Sequence, residues 1–314
     1  MGRLFDFMLP EAKSPTAEST DALFHFINEV SLILLLGITI SIIYFAIKYR
    51  RKSEDDVPPV ITHNHALEIT WSVIPLLICL LIFGWGYSGW LNLKSVPDDA
   101  YEVKVSAMKW NWIFEYDNGA ISPAELHVPA GRPVKLVMKS RDVIHSFYVP
   151  DYRIKQDVLP NRYTYVWFNA TESGESHIFC TEYCGTDHSG MLAKVIVHEP
   201  EEFETWLQTS GSASVSQDPV EQGKNLIAQN GCQACHSIDG SKGIGPSFKG
   251  LWDSEETLAD GSTVKVDENY IRESILTPQE KIVKDYEAVP MTSFQGLLDD
   301  EQISAIIEYI KTLK

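Results

Sequence analysis

Two long apolar runs stand near the start of the chain, at about 23–47 and 69–91, and the remainder mixes polar and apolar positions far more closely. As a helix, each run is long enough to cross roughly 30 Å of hydrocarbon. Trp71, Trp85, Tyr87 and Trp90 supply the aromatic ends favoured at a membrane surface, and Pro75 is tolerated inside a membrane helix. Between the runs lies Lys48-Tyr49-Arg50-Arg51-Lys52, whereas the preceding tail has two basic and four acidic residues. This asymmetry puts the loop in the cytoplasm and both flanking segments outside. Residues 1–22 therefore read as an extracytoplasmic tail, polar and without the apolar centre of a cleavable leader, and 23–92 as a transmembrane helical hairpin.

From 93 to 206 the texture changes to short alternating runs, such as Val134-Lys135-Leu136-Val137-Met138, separated by turn signals such as Asp117-Asn118-Gly119. That pattern predicts an antiparallel β-sandwich. Residues 207–219 are small and polar and read as a flexible linker. In 220–314 the period becomes helical, with Ile303, Ile306, Ile307 and Ile310 on one face, which predicts a separate small α-domain.

Length and composition agree with several packed domains: 314 residues, 44% of them apolar. A net charge of −17 argues against a nucleic-acid partner. Five cysteines fall as Cys79, a small residue inside the second apolar run, and two close pairs, Cys180/Cys184 and Cys232/Cys235. Pairs this close suit cofactors better than a disulfide framework.

The second pair forms Cys232-Gln233-Ala234-Cys235-His236, in which two thiols can add across haem vinyl groups while the next residue offers imidazole to iron. A zinc site would need further ligands, but residues 220–314 hold no other Cys or His. A redox dithiol would need a βαβ context, which the helical pattern does not supply. Met291, in Val289-Pro290-Met291, is placed to give a thioether as sixth ligand, and Gly245-Pro246 and Leu251-Trp252 fit a haem-lining loop. The whole segment resembles class I cytochrome c. The resemblance implies one covalent haem c, held by Cys232, Cys235, His236 and Met291, and electron transfer rather than ligand chemistry.

Cys180, Cys184, His188 and Met191 pack two thiols, an imidazole and a thioether into one short stretch, and His145 can complete the set. Such soft donors select copper or zinc over magnesium and calcium, and the thioether favours copper. Two thiolates can bridge two copper ions. These residues resemble the CuA site of cytochrome c oxidase subunit II, and the likeness runs from the first apolar run to about Pro200. It implies a cupredoxin-like domain in which Cys180 and Cys184 bridge both ions, His145 and Met191 complete one, and His188 with the main-chain carbonyl of Glu182 completes the other. The Glu182 side chain would reach a magnesium or manganese ion at the junction with subunit I.

Two further residues take roles from the same likeness. Trp110, in Lys109-Trp110-Asn111-Trp112, stands at the electron-uptake position, although as one of two tryptophans on a strand it could equally be core. Glu68 matches the acidic residue at the cytoplasmic mouth of a proton channel, although it could equally be an interfacial charge. His63, His65, His127, His177 and His198 read as surface or subunit-contact residues.

The chain as a whole resembles subunit II of a proton-pumping haem-copper oxidase of the caa type with a fused cytochrome c. That implies passage of electrons from an external donor, a soluble cytochrome c or a quinol-oxidising complex, through haem c and CuA to subunit I, alongside other oxidase subunits and membrane lipid. Its place would be the bacterial inner membrane, with the tail and C-terminal domains in the periplasm. Neither apolar run carries the histidines needed to hold haem and copper within a membrane, so the oxygen-reducing site is expected in the partner. The alternative is a membrane-anchored haem and dicopper shuttle that works outside an oxidase; two spans and Glu68 favour the oxidase.

Overall fold

A computed structural model describes residues 4–54, 56, 57, 60, 62–213 and 218–314. It divides into two units, Met1–Pro97 with Asp151–Arg153, and Asp98–Pro150 with Ile154–Lys314.

The first unit is built on helices α1 (Pro15–Lys48) and α2 (His65–Lys94), both long and apolar enough to cross a membrane. Helix α1 starts inside the stretch expected as an extracytoplasmic tail. Ser14 Oγ accepts from the Ala17 N–H and Pro15 takes the first helical position, a start signal independent of hydrophobicity. Its polar first turns are fastened by Arg153, whose guanidinium donates to both Asp21 carboxylate oxygens at 2.8 and 2.7 Å. The apolar middles face outward, with Ile33, Leu35, Ile40 and Phe83 more than half exposed, as lipid or a membrane partner requires.

In the second unit, ten strands form a sandwich: β1 (Tyr101–Met108), β2 (Asn111–Glu115), β3 (Ile121–Pro123), β4 (Glu125–Pro129), β5 (Pro133–Ser140), β6 (His145–Val149), β7 (Ile154–Val158), β8 (Thr164–Asn169), β9 (Gly174–Cys180) and β10 (Leu192–His198). One sheet has the order β3-β2-β1-β5-β8 and the other β4-β10-β9-β6-β7. The pairs β1–β5 and β4–β10 are parallel. Strand alternation has period two in either direction, so the sequence pattern had no means of separating these from the antiparallel pairs. Trp112, Phe114, Leu126, Leu136, Phe147, Phe168 and Ile178 are fully buried and form the core.

Helix α3 (Pro200–Ala213) runs through the first half of the segment expected as linker; 214–217 lie outside the described residues. Packing overrides the small polar composition there. Trp206 stacks on His127 at 4.0 Å between ring centres, and Asn118 Nδ2 donates to Leu207 O at 2.6 Å. His127 is 7% exposed, 2.8 Å from His198 Nε2, and so is a core residue rather than the expected surface histidine.

The C-terminal part contains α4 (Pro219–Gln229), a short hairpin of β11 (Glu255–Thr257) and β12 (Thr263–Lys265), α5 (Glu268–Leu276) and α6 (Asp300–Thr312). The hairpin is an addition to the expected all-α fold. Leu226, Ile227, Tyr270, Ile271, Ile303 and Ile306 share one core. Helices α4 and α6 cross so closely that a Cβ at Gly223 would overlap the carbonyl oxygen of Ala305.

Candidate metal and haem sites

Three strand ends converge to gather the soft donors. His145 opens β6, Cys180 closes β9, and the antiparallel pairing of these strands sets Phe147 opposite Cys180. Strand β10 runs back along β9 with Leu192 opposite Phe179, which returns Met191 to the cysteines. The thiol sulfurs of Cys180 and Cys184 lie 3.8 Å apart, unbonded. Around them stand His145 Nδ1 at 4.0 Å from Cys180, His188 Nδ1 at 3.4 Å and Met191 Sδ at 3.8 Å from Cys184, and Glu182 O at 3.3 Å from Cys180. All six donors expected from the sequence are thus in one place, and His145, Cys180, Cys184 and Met191 are buried.

The electrostatics of the thiols favour a cation. Burial raises both; at Cys180 the contacts with His145 and neighbouring groups outweigh it and hold the thiol below its ordinary range, whereas at Cys184 the charge of Cys180 adds to burial. A second thiolate beside the first is therefore disfavoured until positive charge lies between them. Buried sulfur and imidazole donors with adjacent thiols fit a dicopper centre, and nothing in their arrangement opposes it.

One carboxylate in this site escaped the sequence analysis. Asp142 Oδ1 lies 2.8 Å from His145 Nε2, and Oδ2 accepts from the Lys109 N–H at 2.8 Å. The available signal was its place three residues before His145.

In the C-terminal part, Cys232 and Cys235 lie in and just after a short turn following Gly231, whose φ of +67° suits glycine. Burial, first of all, pushes these thiols up to about 12 and about 11, so neither is a poised redox thiolate. His236 donates Nδ1–H to Pro246 O at 2.8 Å, which leaves Nε2 free, and its ring stacks on Phe248 with centres 4.8 Å apart. Gly245 gives the ring room: a Cβ there would fall 2.6 Å from His236 Cε1.

A cavity of about 400 Å³ is lined by Cys232, Cys235, His236 and Met291 together with Trp110 and Gly185 of the β-sandwich. It fits a flat, mostly apolar prosthetic group bordered by two thiols and an imidazole. Trp110 is 5% exposed, lies against Gly185, and has no partner for its indole N–H among the described residues. Glu68 stands apart in the first turn of α2, where its carboxylate accepts from the Asn64 N–H at 3.1 Å and lies 3.4 Å from His65 Nδ1.

The family description "Cytochrome C oxidase subunit II, transmembrane domain" matches residues 3–85 and "Cytochrome C oxidase subunit II, periplasmic domain" matches 121–198, while "Cytochrome c" matches 220–314. A cytochrome c oxidase subunit 2 of Alkalihalophilus pseudofirmus is 29% identical over 306 residues, covering 92% of this chain and 86% of the relative. Subunits of the same name from Synechocystis and Thermostichus vulcanus are 30% and 33% identical, covering 66% and 63% of this chain and 76% and 77% of those relatives.

Proposed function

The chain belongs to the cytochrome c oxidase subunit II family, with a fused C-terminal cytochrome c domain, and from that premise we propose a relay in which the haem domain stands in for a diffusing donor. As subunit II it receives electrons for a haem-copper oxidase and hands them to the catalytic subunit of the complex. It is anchored in a membrane, with its β-sandwich on the periplasmic side. The cytochrome c and subunit II domains imply haem and copper.

When bound, both groups take up and release single electrons without making or breaking bonds. Cys232 and Cys235 would hold the haem through their thiols, and His236 and Met291 would offer imidazole and thioether to its iron, the thioether favouring the reduced state. Cys180 and Cys184, with His145, Met191, His188 and the Glu182 carbonyl, would hold two copper ions, which would supply one-electron transfer there. Glu182 also offers its carboxylate to a magnesium or manganese ion at the junction with subunit I. Trp110 is the electron-uptake residue, and Glu68 lies at the mouth of a proton path as well as capping α2. The external donor is a soluble cytochrome c or a quinol-oxidising complex, and the membrane is the bacterial inner membrane.

The observation that carries the relay is the shared cavity, in which Trp110 of the copper-binding domain borders the same space as the haem-attaching residues. Shortening the gap between centres raises the rate of transfer without any new chemistry. Replacing Cys232 and Cys235 with Ala tests it. Oxidation of the native donor by the assembled oxidase should be lost while the mixed-valence copper signal persists; unchanged turnover would overturn the relay.

A further inference from the structure

We propose that Asp142 is a positioning residue that ties the copper ligand His145 to the Lys109 backbone, one residue before Trp110, and so holds Trp110 in place relative to the ligand. The carboxylate is 13% exposed and collects four donors. Oδ1 takes the Val143 N–H at 2.7 Å, His145 Nε2–H at 2.8 Å and Ser140 Oγ at 3.3 Å, while Oδ2 takes the Lys109 N–H at 2.8 Å. One oxygen therefore faces the metal site and the other the residue before Trp110. Because a carboxylate is planar and rigid, bonds on its two oxygens fix His145 and the Lys109 peptide relative to each other.

The bond to His145 also sets its protonation pattern. With Nε2–H committed to Asp142, the Nδ1 lone pair is left on the Cys180 side, 4.0 Å from the sulfur. Asp142 further borders the cavity that Cys232, Cys235 and His236 line, so its negative charge lies between the two redox sites. Removing that charge disfavours the oxidised copper ions, and removing the acceptor of the Lys109 N–H loosens the backbone just before Trp110. These effects can be separated, because an asparagine oxygen can replace only one of the two.

The inference rests on the relay, and its test uses the assembled oxidase with haem and copper bound. Asp142→Asn and Asp142→Ala are compared by redox titration of the dicopper centre, by the nitrogen couplings of its spin signal, and by the rate of transfer from haem to copper after flash reduction. Both variants should raise the dicopper potential and alter the His145 coupling. Asp142→Ala should slow internal transfer by about tenfold, the scale typical of lost outer-shell partners. Asp142→Asn, whose amide oxygen still accepts from the Lys109 N–H, should keep a rate near that of the unchanged chain once driving force is allowed for. Equal rates in both variants, or an unshifted potential, overturn the proposal. If Asp142→Ala binds no copper, the potential and coupling of Asp142→Asn decide alone. Failure of the relay itself shows differently: in the unchanged chain, copper would be reduced without prior reduction of haem.

Discussion

A side chain at Gly231 would place its Cβ 3.2 Å from Asn111 Cβ, so the residue before the haem-binding motif meets the strand after Trp110 with little space to spare. Its φ of +67° adds backbone strain for any other residue. Gly231→Ala is expected to destabilise the chain by roughly 1 to 3 kcal/mol, read as an earlier thermal transition followed at the haem band. An unshifted transition would mean that the turn and Asn111 yield freely.

Gly245→Ala should act on His236, the proposed haem ligand, directly. The new Cβ would lie 2.6 Å from His236 Cε1 and 2.9 Å from Nδ1, forcing the imidazole away from Pro246. Loss of that hydrogen bond, worth about 1 kcal/mol, makes the ligand a poorer donor. The expected result is a higher haem potential by redox titration, with haem still attached.

Met291→Leu keeps volume but removes the sulfur. With Met291 as the proposed sixth ligand, the haem potential should fall and the reduced variant should bind carbon monoxide, which the unchanged chain should not. Absence of carbon monoxide binding would remove Met291 from the ligand set.

The His127 cluster predicts an acid-sensitive fold. Burial, reinforced by neighbouring His198, lowers His127 to about 4 from 6.5. An unfolded chain takes up this proton as pH falls through about 6.5, but the folded chain resists until about 4, so stability is lost across that window on acidification. The slope is at most about 1.4 kcal/mol per pH unit for one group. Glu125, at 3.5 Å, and Glu202, which acts on His198, oppose the effect without reversing it. Thermal unfolding between pH 7 and 4.5 should show the slope, and His127→Gln should flatten it; a slope indifferent to that substitution would point elsewhere.

Much of the site was legible in the sequence because its donors are chemically rare and closely spaced. Cys180, Cys184, His188 and Met191 need only one loop to meet, and Cys232, Cys235 and His236 only one turn. Asp142 was not legible, since carboxylates are common and its role lies in a bond to the Lys109 peptide, set by the sandwich. Hydrophobicity starts helix α1 too late because it marks where lipid begins, whereas Ser14 and Pro15 mark where hydrogen bonding begins. Gln208, Thr209 and Ser210 locally favour coil across 207–213, whereas Trp206 stacked on His127 anchors a helix there.

That anchored helix has a consequence for how far the haem domain can stand from the β-sandwich. With α3 held to Ala213 and α4 beginning at Pro219, covalent geometry allows the two ends to separate by no more than roughly 20 Å. The tether therefore keeps the haem domain beside the β-sandwich with which it shares a cavity. A soluble carrier's encounter rate falls on dilution. In the proposed relay the nearness of the haem to Trp110 is written into chain length, independent of how many copies the cell makes.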